Sequence, residues 1–226
     1  NFKASKNLNL QVWDVYTDNV FNTAMLQADL LFPQKNSSSF FAAIQFIRQD
    51  AINHGGNTNA AKTYFEKNGR SFSFGARAGW KNKTWETSIN YNRITGHGRY
   101  LMPREWGREP FFTFLPRERN EGFGDVHAIM ARVNFNIPKA GIKTSLAAGY
   151  YKLPDVKNYR LNKYGLPSYT QANADIRYSF TGILKGFEAQ LLVVWKMNAG
   201  EMYNNRRFEI NKVNMLQYNF VLNFHF

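Results

Sequence analysis

From Leu216 onward, apolar and polar side chains take turns: Leu216, Tyr218, Phe220, Leu222, Phe224 and Phe226 against Gln217, Asn219, Asn223 and His225, with Val221 the one exception. A period of two is the signature of a strand with one apolar and one polar face. The same alternation between turn signals predicts strands near 8–16, 22–33, 39–50, 71–81, 84–94, 126–137, 142–152, 169–180, 186–199 and 214–226. Clear apolar sets are Phe72, Phe74, Ala76, Ala78 and Trp80, then Ile142, Thr144, Leu146, Ala148 and Tyr150. Ala172, Ala174, Ile176, Tyr178 and Phe180 form a third, and Phe187, Ala189, Leu191, Val193, Trp195 and Met197 a fourth. The opposite faces carry Ser, Gly, Asn, Gln, Arg and Lys. The run 39–50, SFFAAIQFIRQD, alternates less cleanly and leaves room for a bulge.

The connections sort by length. Short ones at 34–38, 82–83, 138–141 and 181–185 alternate with long ones at 51–70, 95–125, 153–168 and 200–213; only 17–21 is short on the long-loop side. Tight turns on one side and long loops on the other characterise a transmembrane β-barrel. The expected fold is therefore all-β: a transmembrane antiparallel β-barrel with about ten strands in one domain spanning 1–226. Its C-terminus lies on the periplasmic side of the outer membrane of a Gram-negative bacterium, with every long connection outside.

Composition supports this picture. Twenty Phe, 12 Tyr and 5 Trp make the chain 16% aromatic, yet mean hydropathy is −0.48. No stretch approaches the roughly 18 apolar residues of a membrane helix, whereas barrel strands need only about 9–11 residues, half of them facing lipid. Cysteine is absent, so disulfides and thiolate metal sites are excluded. The net charge of +13 raises the question of nucleic acid, but the cations are scattered along polar strand faces, no nucleic-acid motif is present, and no such partner is expected. Phe32, Phe40, Trp80, Trp85, Phe135, Phe180, Phe187, Phe224 and Phe226 flank the short turns, where a headgroup-level aromatic girdle belongs. The implied surroundings are outer-membrane lipid and lipopolysaccharide, and an oligomer is compatible with them. A closed barrel also requires its last strand to pair with its first.

The polar faces place Arg77, Arg132, Arg177, Lys143 and Lys196, with Asp175 and Glu188, in the lumen. Arg77, Arg132 and Arg177 fall on three strands of the same direction, each a few residues from its short turn. Either they form a row that lowers the energy of anions in the pore, or they brace the wall through Asp175 and Glu188. The connection 95–125, TGHGRYLMPREWGREPFFTFLPRERNEGFGD, carries Arg99, Arg104, Arg108, Arg117 and Arg119 with Glu105, Glu109, Glu118 and Glu121. Trp106, Phe111, Phe112 and Phe114 suit burial rather than a dangling loop, and a loop of about 30 residues is usually functional. The expectation is that it folds into the barrel and leaves Arg and Glu at a constriction; the alternative is a rigid external cap.

That loop, the strands around it and the terminal FVLNFHF resemble the C-terminal part of outer-membrane porins of the OprD family, in the form found in Bacteroidetes-like bacteria. The resemblance implies an 18-stranded, substrate-selective channel with an arginine ladder for small, often carboxylate-bearing solutes. It also implies that about ten of those strands are present here. Arg77, Arg132, Arg177 and the loop arginines match that ladder. The terminal run of Tyr218, Phe220, Leu222, Phe224 and Phe226 looks like the signal read by the barrel-assembly machinery. The function expected is passive diffusion of small, anionic or carboxylate-bearing solutes, with no cofactor, metal or reaction. A barrel within a larger envelope or secretion assembly is the second reading. An omptin-like protease is a third, for which His127, two residues after Asp125, is the one suggestive pair.

Overall fold

The computed structural model describes residues 2–102 and 107–225. Its strands are β1 (Phe2–Lys3), β2 (Leu8–Thr17), β3 (Phe21–Pro33), β4 (Ser39–Ala51), β5 (Arg70–Lys81) and β6 (Trp85–Ile94). They continue as β7 (Val126–Ile137), β8 (Ile142–Lys152), β9 (Tyr169–Ser179), β10 (Phe187–Asn198) and β11 (Met215–Phe224). All lie in one sheet, in chain order, each antiparallel to the next. The expected ten strands are present within two residues at each end, and β1 is an addition that two residues could not announce by periodicity. Both ladders of β4 run without interruption, from Ser39 to Ala51 against β3 and to Asp50 against β5, so the bulge allowed there is not used.

The closure expected of the last strand on the first is not made among the described residues. β11 pairs with β10 and β1 with β2, and the sheet is open. Closure depends on strand number as well as pattern, because each strand adds only about 4.8 Å of circumference.

The two faces differ as the alternation requires. Leu26, Ile44, Phe74, Ile89, Ile129, Leu146, Ile176, Leu191 and Phe220 are exposed on one face, Phe220 at 72%. At the short-turn end this face carries aromatic contacts: Trp85 with Phe135 at 4.3 Å, Tyr178 with Phe180 at 4.8 Å and Phe187 with Phe224 at 4.7 Å between ring centres. The opposite, concave face holds the buried core, in which Met25, Ile47, Ile94, Met130, Tyr151 and Tyr169 meet Tyr100, Phe111, Leu115 and Phe123 of the long loop. A second cluster joins Phe21, Phe65 and Leu101, tying the 51–70 connection to the same loop. Burial is thus on the loop-covered face, while the most hydrophobic face stays uncovered, the reverse of a water-soluble sheet.

Candidate functional site

The concave wall is lined with uncharged amides. Gln45 and Gln49 on β4, Asn90 and Asn92 on β6, and Gln171 and Asn173 on β9 are all buried. They stand on the polar side of each alternation, with side chains long enough to reach a backbone lying over the sheet.

The described part of 95–125 is that backbone. Gln49 donates to the Leu101 carbonyl at 2.8 Å and accepts from the Leu101 amide at 2.9 Å. Gln45 donates to the Pro110 carbonyl at 3.0 Å. Tyr151 donates to the Thr113 carbonyl at 2.7 Å, and Gln171 and Asn173 both donate to the Pro116 carbonyl, at 2.8 and 2.9 Å. Lys196 donates to the Arg117 carbonyl at 3.1 Å and lies 3.9 Å from the centre of the Tyr169 ring. A buried irregular segment must pair its main-chain groups outside any ladder, and the wall amides supply the partners. Gly75 makes room for the crossing: a Cβ there would lie 3.2 Å from the Phe112 ring and 3.3 Å from Gln45.

The structure brings some of the candidate charges together. Arg77 pairs with Asp29 at 2.8 Å, and its guanidinium lies 4.8 Å from the Phe112 ring centre and 5.7 Å from that of Phe41. Asp29 also accepts from Gln11 and Gln27, each at 2.8 Å. Arg132 donates to the Phe114 carbonyl at 2.6 Å. Arg77, Arg132, Glu86, Arg108 and Glu109 line one cavity of about 380 Å³ beneath the loop. Arg108 is exposed and lies 5.5 Å from the Phe114 ring centre, while Glu109 accepts from the Asn120 amide at 2.9 Å.

Arg177 is apart from these. Arg77 and Arg132 lie four and five residues from the last residue of their strands, Lys81 and Ile137, and Arg177 only two from Ser179. It contacts Asp175 at 3.2 Å and Glu188 at 3.7 Å, and Lys143 is its register partner across the ladder. Arg104 and Glu105, and Phe226 of the terminal run, lie outside the described residues. Tyr218, Phe220, Leu222 and Phe224 are exposed on the outward face of β11.

A larger cavity of about 800 Å³ opens between the loop and β10–β11. Arg117, Arg119 and Lys196 line it together with Arg206, Glu209 and Lys212 of the 199–214 connection. Arg206 and Lys212 were not legible as site residues, since a loop charge carries no periodic signal of which way it faces. Arg117 has a left-handed backbone with φ of 69°, a conformation a non-glycine residue holds only when its surroundings impose it.

Behind this cavity the loops lock to one another. Tyr164 donates to Glu121 at 2.7 Å, Lys163 lies 3.9 Å from the same carboxylate, and the Arg119 guanidinium sits 4.2 Å from the Tyr164 ring centre. Arg99 adds positive potential at Lys163. Burial raises the Glu121 carboxyl above the ordinary range, outweighing the Tyr164 hydrogen bond and the nearby cations. Burial likewise lowers Lys163, and burial followed by the Glu121 bond raises Tyr164. Asn162, fully buried, donates to the carbonyls of Pro154 and Leu166, both at 2.9 Å, and so folds 153–168 against this corner.

The Asp125–His127 pair weighed as a catalytic dyad is not assembled as one. Asp125 holds Arg93 at 2.7 Å, and His127 faces outward, its Nδ1 2.8 Å from the Tyr91 hydroxyl. A hydrolytic dyad has to share one water in the lumen, and these side chains are engaged elsewhere.

No protein-family model matches the sequence, and no curated protein matches it either. The fold, however, is matched by solved structures. The outer membrane protein OprD from Pseudomonas aeruginosa superposes with a TM-score of 0.74 at 10% identity, over 98% of this chain and 56% of OprD. Acinetobacter baumannii OccAB2 gives 0.71 at 14% identity over 99% of this chain and 52% of its own. Pseudomonas aeruginosa OccK5 (OpdH) gives 0.69 at 11% identity over 87% and 51%. The chain thus spans about half the length of the structures it matches, and over that half it has the fold of an OprD-type barrel wall.

Proposed function

We propose that this chain forms part of the wall, and the inward loop, of an outer-membrane channel for passive and selective diffusion of small solutes, with preference for anions and carboxylates. The observation that carries this reading is the contrast between the two faces of one sheet. The outward face suits lipid, and the concave face bears a loop that narrows the space beside Arg77, Arg132, Arg117, Arg119 and Lys196. Fixed guanidinium and ammonium groups beside a low-dielectric wall favour counter-ions by roughly 1–2 kcal/mol each after water screening, and by less at Arg77, which is already paired with Asp29. The structural likeness to OprD supports the same class. In this reading the short turns and the C-terminus are periplasmic and the long loops external. The residues of 107–125 act as the constriction, and Arg177 with Asp175 and Glu188 stiffens the wall nearer the periplasm. Remaining strands close the barrel to about 18.

Planar-bilayer recording of the full-length protein tests the proposal. Discrete conducting steps with a reversal potential displaced toward the anion equilibrium value are expected. Absence of steps from folded, inserted protein would overturn it.

A further inference from the structure

Two cavities on the concave face share a partition. The cavity of about 380 Å³ beneath the loop and a second of about 350 Å³ are both lined by Phe41, Arg77 and Glu86. The second lies toward the short turns, where Leu31 near the end of β3, Ala42 on the first turn of β4 and Lys81 at the end of β5 line it with Lys3 and Lys6. Arg77 stands between the two, its guanidinium 4.8 Å from the Phe112 ring centre on the loop and 5.7 Å from that of Phe41 on β4.

Asp29, which lines the second cavity, holds this guanidinium through Nη2 at 2.8 Å. The buried Nε of Arg77 finds no hydrogen-bond partner among the described residues. The other carboxylate oxygen of Asp29 accepts from Gln11 and Gln27, each at 2.8 Å. Gln27 in turn accepts from Gln45 at 2.9 Å, and Gln45 donates to the Pro110 carbonyl, so a chain of amides joins Asp29 to the loop backbone. Breaking an ion pair is costly chiefly where a charge is left buried and unpaired. Here Asp29 keeps two donors when Arg77 leaves it, and the Arg77 side chain, 38% exposed, can be met by water or by another anion. The pair is therefore built for exchange. Arg177 differs, because it lies between two carboxylates, Asp175 and Glu188.

We propose that Asp29 is a specificity-determining residue, the resident counter-ion of Arg77, which a permeating anion displaces on its way from the loop cavity to the short-turn cavity. Arg77 passes the anionic group across the partition toward Lys81 and Lys6, and Asp29 takes Arg77 back once the solute has left. The inference deepens the channel reading and rests on it.

The test compares full-length protein with Asp29→Asn, Arg77→Gln and Gln11→Met in planar bilayers, with acetate as the probe that competes with chloride current. Asp29→Asn keeps an acceptor for the glutamines and frees the guanidinium. Its half-inhibiting acetate concentration should fall about threefold to fivefold, the range a partly exposed ion pair is worth, and its reversal potential should move further toward the anion value. Arg77→Gln should change both in the opposite direction. Gln11→Met takes away one donor that holds Asp29 in the released state, so exchange is harder and more acetate should be needed. If Asp29→Asn leaves both readouts unchanged, or shifts them as Arg77→Gln does, the pair is a brace and the proposal is overturned while the channel reading stands. Bromide located by anomalous diffraction gives an answer independent of conduction. Higher occupancy at Arg77 in Asp29→Asn than in the unsubstituted protein supports the exchange, and equal occupancy overturns it, whereas failure of every protein to conduct overturns the channel reading alone.

Discussion

Arg132 on β7 donates to the main-chain carbonyl of Phe114 at 2.6 Å, so one guanidinium both anchors the inward loop and places positive charge beside Arg77. In the proposed channel this one side chain would both brace the loop and act on passing anions.

Arg132→Gln separates the two contributions. The shorter neutral amide keeps a donor but loses the charge and much of the reach, so anion preference should fall and single-channel conductance should rise or become noisier as the loop loosens. Reversal potentials across a salt gradient, with conductance from the same records, measure both. An unchanged reversal potential would assign Arg132 to bracing alone.

Gln49 grips both main-chain groups of Leu101 and also donates to the Thr23 hydroxyl at 2.7 Å. Gln49→Leu leaves these buried groups unpaired, at a cost of about 1–3 kcal/mol. Hydrogen exchange should show the Leu101 amide losing protection by roughly one to two orders of magnitude, while the β4–β5 ladder amides keep theirs. Equal loss in both places would mean that Gln49 supports the sheet rather than the loop.

Glu121 provides a pH signature. Its folded pKa is raised above the unfolded value, so the group favours the folded state fully below the unfolded pKa, near ~4.3, and that contribution is lost as pH rises through the folded value. Glu121→Gln keeps an oxygen to accept from Tyr164 without the buried charge. It should raise Tm relative to the parent at pH 7 and make little difference at ~pH 3.5, as read by calorimetry at the two pH values. A lower Tm at pH 7 would mean that attraction to Lys163 and Arg119 outweighs burial.

Phe226 follows Phe224, whose ring packs on Phe187 at 4.7 Å at the short-turn rim. If the terminal aromatic is read during assembly, Phe226→Asp should lower the amount of inserted barrel several-fold, while Asn223→Asp on the inward side of β11 leaves it near normal. Quantifying heat-modifiable folded barrel in outer-membrane fractions decides this. Normal levels of Phe226→Asp would remove the assignment.

What alternation along the chain determined was the wall: which residues form strands, which face is apolar and uncovered, and which turns are short. Those properties are local, because a strand's two faces follow from covalent geometry at every second residue, and so Phe74, Leu146 and Trp195 could be placed outward from their neighbours alone. Tertiary structure decided how the concave face is used. Gln45 and Pro110 are 65 residues apart, and Asn173 and Pro116 are 57, and no short-range pattern says which carbonyl a buried amide will find. The same holds for the arginines. Arg77, Arg132 and Arg177 look alike in sequence, but a folded loop gives the first two Phe112 and Phe114, with Arg77 also paired to Asp29, while Arg177 keeps Asp175 and Glu188. Pairing over such distances depends on where the loop can lie while satisfying its own backbone, and only the folded chain settles that.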